Sequence, residues 1–329
     1  MDPRSEVLLR QAELFNGKTL LAGLPADELL TKLPQATGWT WLANDWQMLN
    51  HHYNQRIHLA TTAPTTKFQT TVLFLPKSKE LTEYLLQALA ACTELQGSLY
   101  LVGEKKAGIE RAAKQLATYG KTRKLDSARH CQLWQVQINE STTAPKLQDF
   151  AQSYTVNDLT ITSFAGVFSH GHLDVGSQLL IQHLDKIPTD KILDFGCGAG
   201  VIGALLKQRY PQATVYLQDV DVFAIASTEQ TLKNNNLEAI TITGDGIDAS
   251  PKGLTAIITN PPFHQGIQTN YQTTEQLLHY AIDHLVKGGE LRLVANSFLK
   301  YQPLIQQAFG NCQVLAESNG FKIYSAYKV

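Results

Sequence analysis

Ile192-Leu193-Asp194-Phe195-Gly196-Cys197-Gly198-Ala199-Gly200 is the stretch that decides the fold. Lys191–Phe195 is apolar apart from its ends, the composition of a strand buried on both faces of a parallel sheet. Three glycines at alternate positions follow, then Ile202, Leu205 and Leu206 at helical spacing. Strand, glycine turn and helix in that order put the turn at the carboxyl end of the strand, in the crevice where doubly wound sheets bind ligands. Gly196 and Gly198 remove side chains that would block a ligand, and Gly200 is expected to admit the helix close to the sheet. Asp194, at the strand end, can accept hydrogen bonds from loop amides or from a ligand's ammonium group.

Downstream of the turn, Thr214–Leu217 reads as a second strand leading into Gln218-Asp219. A carboxylate roughly twenty residues beyond such a turn is placed to take both hydroxyls of a ribose. Asp221, two residues on, competes for that role. Ile240–Thr243 reads as a third strand and is followed by Asp245, placed to accept from an adenine amine. A dinucleotide fingerprint requires glycine or alanine at the sixth position of G-x-G-x-x-G/A, where this chain has Val201. The spacing therefore suits a cofactor with no pyrophosphate to cradle, and with the two acids it points to S-adenosylmethionine.

A second signal is Asn260-Pro261-Pro262-Phe263, at the end of the apolar run Thr255–Thr259. Each proline biases its predecessor to extended backbone, so Asn260 and Pro261 form a rigid polar notch. A flat amino group could donate one hydrogen to the Asn260 side chain and another to the Pro261 carbonyl, while Phe263 stacks on its ring, worth ~1–3 kcal/mol per base. His264 could relay a proton lost by such an amino group, or it is a partly exposed loop histidine. The loop Gly166–Ser177 precedes an amphipathic stretch, Gln178–Leu184, and could close over the cofactor with Phe168 and Ser177 inward. His170 and His172 have no matching ligand cluster, and no metal is expected.

The chain contains its pattern twice. Thr82-Glu83-Tyr84-Leu85-Leu86 resembles Thr274-Glu275-Gln276-Leu277-Leu278, and the same offset aligns Gly97–Val102 with Gly289–Val294. Each half alternates strands and helices and closes on a pair of strands, so the expected architecture is α/β: two tandem doubly wound, Rossmann-like domains, residues 1–145 and 146–329. The second ends in a seven-stranded sheet with an antiparallel hairpin turning at Ser318-Asn319-Gly320. The first half lacks the glycine turn and has Leu75-Pro76-Lys77-Ser78 where the second has Asn260–Phe263. It is read as a non-catalytic duplicate serving substrate docking or support.

With 28 basic and 29 acidic residues among 329, no global field advertises nucleic acid. Between Lys105 and Arg129, however, eight basic side chains face two acidic ones, and Lys121, Arg123, Lys124 and Arg129 are the candidate phosphate contacts. The four cysteines are scattered without a C-x-x-C pair, which fits a reducing cytosol. Neither a signal peptide nor an uncharged membrane-length run is seen, so the expectation is a cytoplasmic monomer.

Asp194–Gly200 and Asn260–His264, with Gly166–Ser169, Leu173–Leu180, Ser5–Arg10, Val102–Glu104 and Asp126–Arg129, give the chain a nearly full-length resemblance to class I S-adenosylmethionine-dependent methyltransferases. More narrowly it resembles the ribosomal RNA small subunit methyltransferase C family. That resemblance implies methylation of the N2 amine of one guanine of 16S rRNA, conventionally position 1207, within the assembled small subunit. It also implies an N-terminal duplicate that binds no cofactor. A large-subunit guanine methyltransferase, a methyltransferase acting on DNA adenine or protein glutamine, and a non-enzymatic RNA-binding scaffold are the competing readings. Phe263 in place of tyrosine weighs against the DNA and protein substrates, and intact Asp194, Gly196, Gly198, Asp219 and Asn260 weigh against the scaffold.

Overall fold

The computed structural model describes residues 1–261 and 269–329. The chain divides into two compact units, Met1–Ala151 and Gln152–Val329. In the first, strands β1 (Thr19–Ala22), β2 (Ala36–Thr40), β3 (Ile57–Leu59), β4 (Phe68–Phe74), β5 (Thr93–Glu104), β6 (Arg123–Ala128) and β7 (Cys131–Gln137) form one sheet in the order β3-β2-β1-β4-β5-β7-β6. Its helices are α1 (Pro3–Leu9), α2 (Leu29–Lys32), α3 (Ala43–His52), α4 (Lys79–Cys92) and α5 (Ile109–Leu116). The second unit opens with a hairpin, β8 (Gln152–Val156) and β9 (Leu159–Ser163). Then come β10 (Lys191–Phe195), β11 (Thr214–Asp219), β12 (Ile240–Thr243), β13 (Leu254–Thr259), β14 (Leu285–Asn296), β15 (Gln313–Ser318) and β16 (Phe321–Tyr327). Their order, β12-β11-β10-β13-β14-β16-β15, repeats that of the first sheet. Helices α6 (Val175–Ile181), α7 (Val201–Arg209), α8 (Val222–Asn234), α9 (Thr269–His284) and α10 (Tyr301–Phe309) complete it.

In each sheet five strands are parallel and the closing hairpin is antiparallel. The Asn319-Gly320 turn has both residues at positive φ, 50° and 79°, as a two-residue hairpin turn demands. The central strands are buried on both faces: Leu193, Ile257 and Leu291 are all fully inaccessible. Full burial of such a side chain is worth ~1.5–3 kcal/mol, which is why the strands carry continuous apolar runs. The order reverses between β10 and β13, so their crossover helices leave to opposite sides and a crevice opens at the carboxyl ends of these two strands. That crevice brings the glycine turn after β10 beside Asn260 after β13.

The repeat is visible in matching backbone hydrogen bonds. Ile138 N–H donates to the Gly97 carbonyl at 2.9 Å, and Lys328 N–H donates to the Gly289 carbonyl at 2.9 Å. From these anchors Ser98 faces Thr70 and Glu290 faces Ala256, so Thr70 and Ala256 are equivalent. Counting on, Phe74 occupies the place of Asn260, one residue earlier than the Leu75 suggested by comparing the sequences. By the same registers Leu21 stands at Asp194, Gly23 at Gly196 and Thr40 at Asp219.

Candidate active site

The glycine turn is held by two carboxylates. Asp194, buried at the end of β10, accepts the Gly203 N–H at 2.9 Å. Asp219, at the end of β11, accepts the Gly198 N–H at 2.9 Å on one oxygen and the Asp221 N–H at 3.0 Å on the other. Asp221 is the N-cap of α8 and accepts the Phe223 N–H at 2.8 Å. The two acids left open by the sequence thus have different places: Asp219 faces the glycine turn and Asp221 starts a helix. Burial pushes the Asp194 carboxyl up to about 7, with the charge of Asp219 adding to the effect and the Gly203 N–H opposing it. Burial, then the charge of Asp219, pushes Asp221 up to about 8. Burial raises Asp219 too, against the N–H bonds it accepts.

At Gly196 and Gly198, both at positive φ, an added Cβ would meet no described residue within 4 Å, so among the described residues the space over the turn is open. Gly200 also has positive φ, and its Cβ would lie 3.0–3.2 Å from Thr228 of α8. The close helix-to-sheet approach expected at Gly200 is instead made by Gly203, where a Cβ would fall 2.2 Å from Leu217 of β11. Gly200 admits a neighbouring helix, whose Thr228 hydroxyl donates to the Gly198 carbonyl at 2.9 Å. Cys197 is buried, its sulfur 3.3 Å from the same hydroxyl. Gln218 donates to the Gly246 carbonyl at 2.7 Å and accepts from the Ser250 hydroxyl, tying the loop that carries the exposed Asp245 to β11. An open glycine-lined space beside crowded, burial-raised carboxyls fits a cationic nucleoside such as S-adenosylmethionine, whose charge would favour their ionised forms.

Asn260 is half-buried and its amide is fixed. Its Nδ2 donates to Asp174 Oδ2 at 3.1 Å and to the Ser177 hydroxyl at 3.0 Å. With both amide hydrogens used, the carbonyl oxygen is the acceptor left for a ligand. Pro261 is buried beside it. Pro262, Phe263 and His264 lie outside the described residues. Ser177 is 5% exposed, whereas Phe168, expected to point inward, is 59% exposed. Sequence reasoning missed Asp174, Gly203, Gln218 and Thr228. Asp174 alone had a legible signal, as an acid three residues before Ser177 at a helix start.

The basic segment is dispersed. Lys121, Arg123 and Lys124 are exposed at the start of β6, an edge strand, where lysines also discourage unwanted strand pairing. Arg123 donates to Gln135 at 2.7 Å, and the Lys124 ammonium lies 5.9 Å from the Trp134 ring centre. Arg129 sits at the other end, in the β6–β7 turn at φ 53°, ion-paired to Glu6 at 2.9 Å. Arg111 and Lys114 join Lys77 and Lys79 around a groove of about 600 Å³ between α4 and α5.

Over the equivalent turn of the first unit the space is filled. A Cβ at Gly23 would lie 2.7 Å from the indole of Trp41, itself 7% exposed. Leu21, Thr40 and Phe74 supply neither the carboxylates nor the amide of the second unit.

Comparison with known proteins agrees with this duplicated architecture. The family model described as "Methyltransferase small domain" matches residues 158–325, and "Methyltransferase small domain N-terminal" matches 5–154. The chain is 57% identical over 333 residues to the ribosomal RNA small subunit methyltransferase C of Stutzerimonas stutzeri (strain A1501), covering all of both chains. It is 60% identical to the protein of that name from Ectopseudomonas mendocina (strain ymp), covering 99% of each. Among solved structures, the T. thermophilus 16S rRNA N2 G1207 methyltransferase in complex with AdoMet and guanosine superposes with a TM-score of 0.86 at 26% identity, over 100% of this chain and 92% of that one.

Proposed function

Because the chain belongs to the ribosomal RNA small subunit methyltransferase C family, we propose that it transfers a methyl group from S-adenosylmethionine to the N2 amine of a guanine in 16S rRNA. The observation that carries this reading is the fixed Asn260 amide at the end of β13, its nitrogen held by Asp174 and Ser177 and its oxygen accepting from no described residue, beside the open glycine turn after β10. Asp219 would hold the ribose hydroxyls, Asp194 would support the turn through Gly203, and Asp245 would approach the adenine. Phe168, on the loop before α6, would cover the cofactor.

Bound there, S-adenosylmethionine supplies a methyl group on a positively charged sulfonium. The chain's own contribution is orientation. The Asn260 oxygen accepts one hydrogen of the guanine amine and the Pro261 carbonyl the other, drawing electron density onto a nitrogen whose lone pair is otherwise delocalised into the ring. The lone pair is then turned toward the methyl carbon. With the donor held there, the N–C bond would form as the S–C bond breaks, the bonding pair staying on sulfur as a neutral thioether and the amine proton passing to solvent. Positioning of this kind supplies most of what such a transfer needs.

The substrate is read as the assembled small subunit and the enzyme as a cytoplasmic monomer; among the described residues no helix is long and apolar enough to cross a membrane. The first unit is read as a support that holds no cofactor and presents Lys121, Arg123, Lys124 and Arg129 to RNA phosphates, with His264 contributing from the second. Labelled S-adenosylmethionine offered with small subunits, large subunits, deproteinised RNA, duplex DNA and a glutamine-bearing protein tests the proposal. Label in 16S rRNA at a guanine N2 is expected; label only in DNA or protein, or none, would overturn it.

A further inference from the structure

We infer that Asp174 is a positioning residue for methyl transfer: with Ser177 it clamps the Asn260 amide so that its oxygen, not its nitrogen, faces the substrate amine. The inference rests on the proposed function and deepens it. An asparagine amide presents either end after a half-turn about its last bond, and only the oxygen can accept from an amine. Asp174 closes off that choice. Its Oδ2 accepts from Asn260 Nδ2 at 3.1 Å and from the Ser177 N–H at 3.1 Å, while the Ser177 hydroxyl takes Nδ2 at 3.0 Å. A carboxylate can only accept, so a flipped Asn260 would set its oxygen against Oδ2 and lose that bond. The contact joins residues 86 apart in the chain, so it is tertiary and not a by-product of helix capping.

The first unit shows what the same helix start does without an asparagine to hold. Helices α1 and α6 each have seven residues and an aspartate N-cap, Asp2 and Asp174. Ser5 then matches Ser177 and Arg4 matches Gly176. With Phe74 in the place of Asn260, the Asp2 carboxylate turns to Arg4, taking its Nε at 3.0 Å and Nη2 at 2.9 Å, and that guanidinium lies 5.8 Å from the Phe74 ring centre. The Ser5 hydroxyl is buried with no hydrogen-bond partner. The aspartate and serine persist, but only an asparagine gives both a shared partner. Gly176 belongs to the clamp as well: a Cβ there would sit 3.2 Å from Asp174 Oδ2 and 3.5 Å from Asn260 Nδ2, pressing on the contact.

The test compares Asp174→Asn, Asp174→Ser and Gly176→Ala in the full-length protein with labelled S-adenosylmethionine and small subunits. Asparagine and serine both cap helices well, so α6 is retained. Asp174→Asn puts a second amide against Asn260 and permits the flip; Asp174→Ser replaces the acceptor-only carboxylate by a shorter hydroxyl that can also donate, so the amide's orientation is no longer dictated. Both should lower kcat about 100-fold, the scale of a misplaced reacting group, while KM, cofactor Kd and Tm stay near wild type. Gly176→Ala should lower kcat in the same direction. If Asn260→Ala abolishes turnover but both Asp174 variants keep wild-type kcat, the clamp is wrong and the proposed function stands. If Asn260→Ala itself retains turnover, the clamp falls together with the role of Asn260 as substrate acceptor; if the wild-type protein labels no small subunits, the proposed function falls. A loss of turnover tracking the fraction unfolded would reduce Asp174 to a helix cap.

Discussion

Replacing Asp219 and Asp221 separately by alanine tests the division of labour at the glycine turn. Each oxygen of Asp219 already accepts one backbone N–H, from Gly198 at 2.9 Å and from Asp221 at 3.0 Å. One further lone pair on each oxygen remains, which matches a vicinal diol. A hydrogen bond to a charged acceptor is worth ~1.5–3 kcal/mol, so two at the low end make about 3 kcal/mol, a rise in Kd of roughly 100-fold. Asp221→Ala instead removes the cap of α8, which costs about 1 kcal/mol of stability. It leaves the Asp219 oxygens in place, so cofactor Kd should hardly move. Titration calorimetry with S-adenosylmethionine gives both constants, and thermal unfolding gives the stability change. For Asp219→Ala, turnover at saturating cofactor should stay near wild type, because the residue touches no reacting atom. Weaker binding in Asp221→Ala than in Asp219→Ala would refute the geometric reasoning and pass the ribose to the helix cap.

Asn260→Ala should do the converse, keeping cofactor affinity in calorimetry while turnover falls by at least about 100-fold. The unliganded protein should lose stability as pH rises from about 5 to about 8. Asp194 and Asp221 keep protons up to about 7 and about 8 when folded, whereas the unfolded chain releases them near 3.8, so the folded state holds the excess protons and loses that advantage on titration. Asp221→Asn keeps a good cap and should flatten the slope; denaturant midpoints at the two pH values decide, and an unchanged slope would exclude Asp221 as a source. Charge reversal at Lys121, Arg123 and Lys124 should weaken binding to small subunits and lower the salt slope by about 2–3, at ~0.7–0.9 per phosphate contact. An unchanged slope would remove these residues from the interface.

What the sequence made legible was local. The strand–turn–helix at Lys191–Arg209 and the acids after the next strands could be read because each signal lies within one element and its turn. The β8–β9 hairpin was overlooked although Ser153–Ser163 alternates polar and apolar residues on either side of Asn157-Asp158, both at positive φ. What stayed hidden needed a partner from elsewhere. Gly203 matters because of Leu217 on another strand, and Asp174 because of Asn260 on another element. The spatial spread of the basic run was hidden for the complementary reason. Lys121–Arg129 is continuous in the chain, but an extended strand separates its ends, so Lys121, Arg123 and Lys124 lie at the start of β6 and Arg129 at its far end, paired to Glu6.

The first unit turns these dependencies into an internal control. It keeps the sheet order, the capped first helix and the positive-φ glycine, so none of those features can be what equips the second unit for chemistry. The differences that bear on the crevice include side chains at the strand ends: Leu21 for Asp194, Thr40 for Asp219 and Phe74 for Asn260, with Trp41 laid over the turn. Each removes a different requirement, namely support of the turn, the ribose acceptor, the substrate acceptor and the space itself. Restoring one cannot restore binding. An aspartate at position 40 alone would be a buried charge with no ligand to pair it, and would be held protonated instead of binding a diol. The fold therefore supplies the crevice, and the chemistry rests on three strand-end side chains and an open turn that have to agree at once.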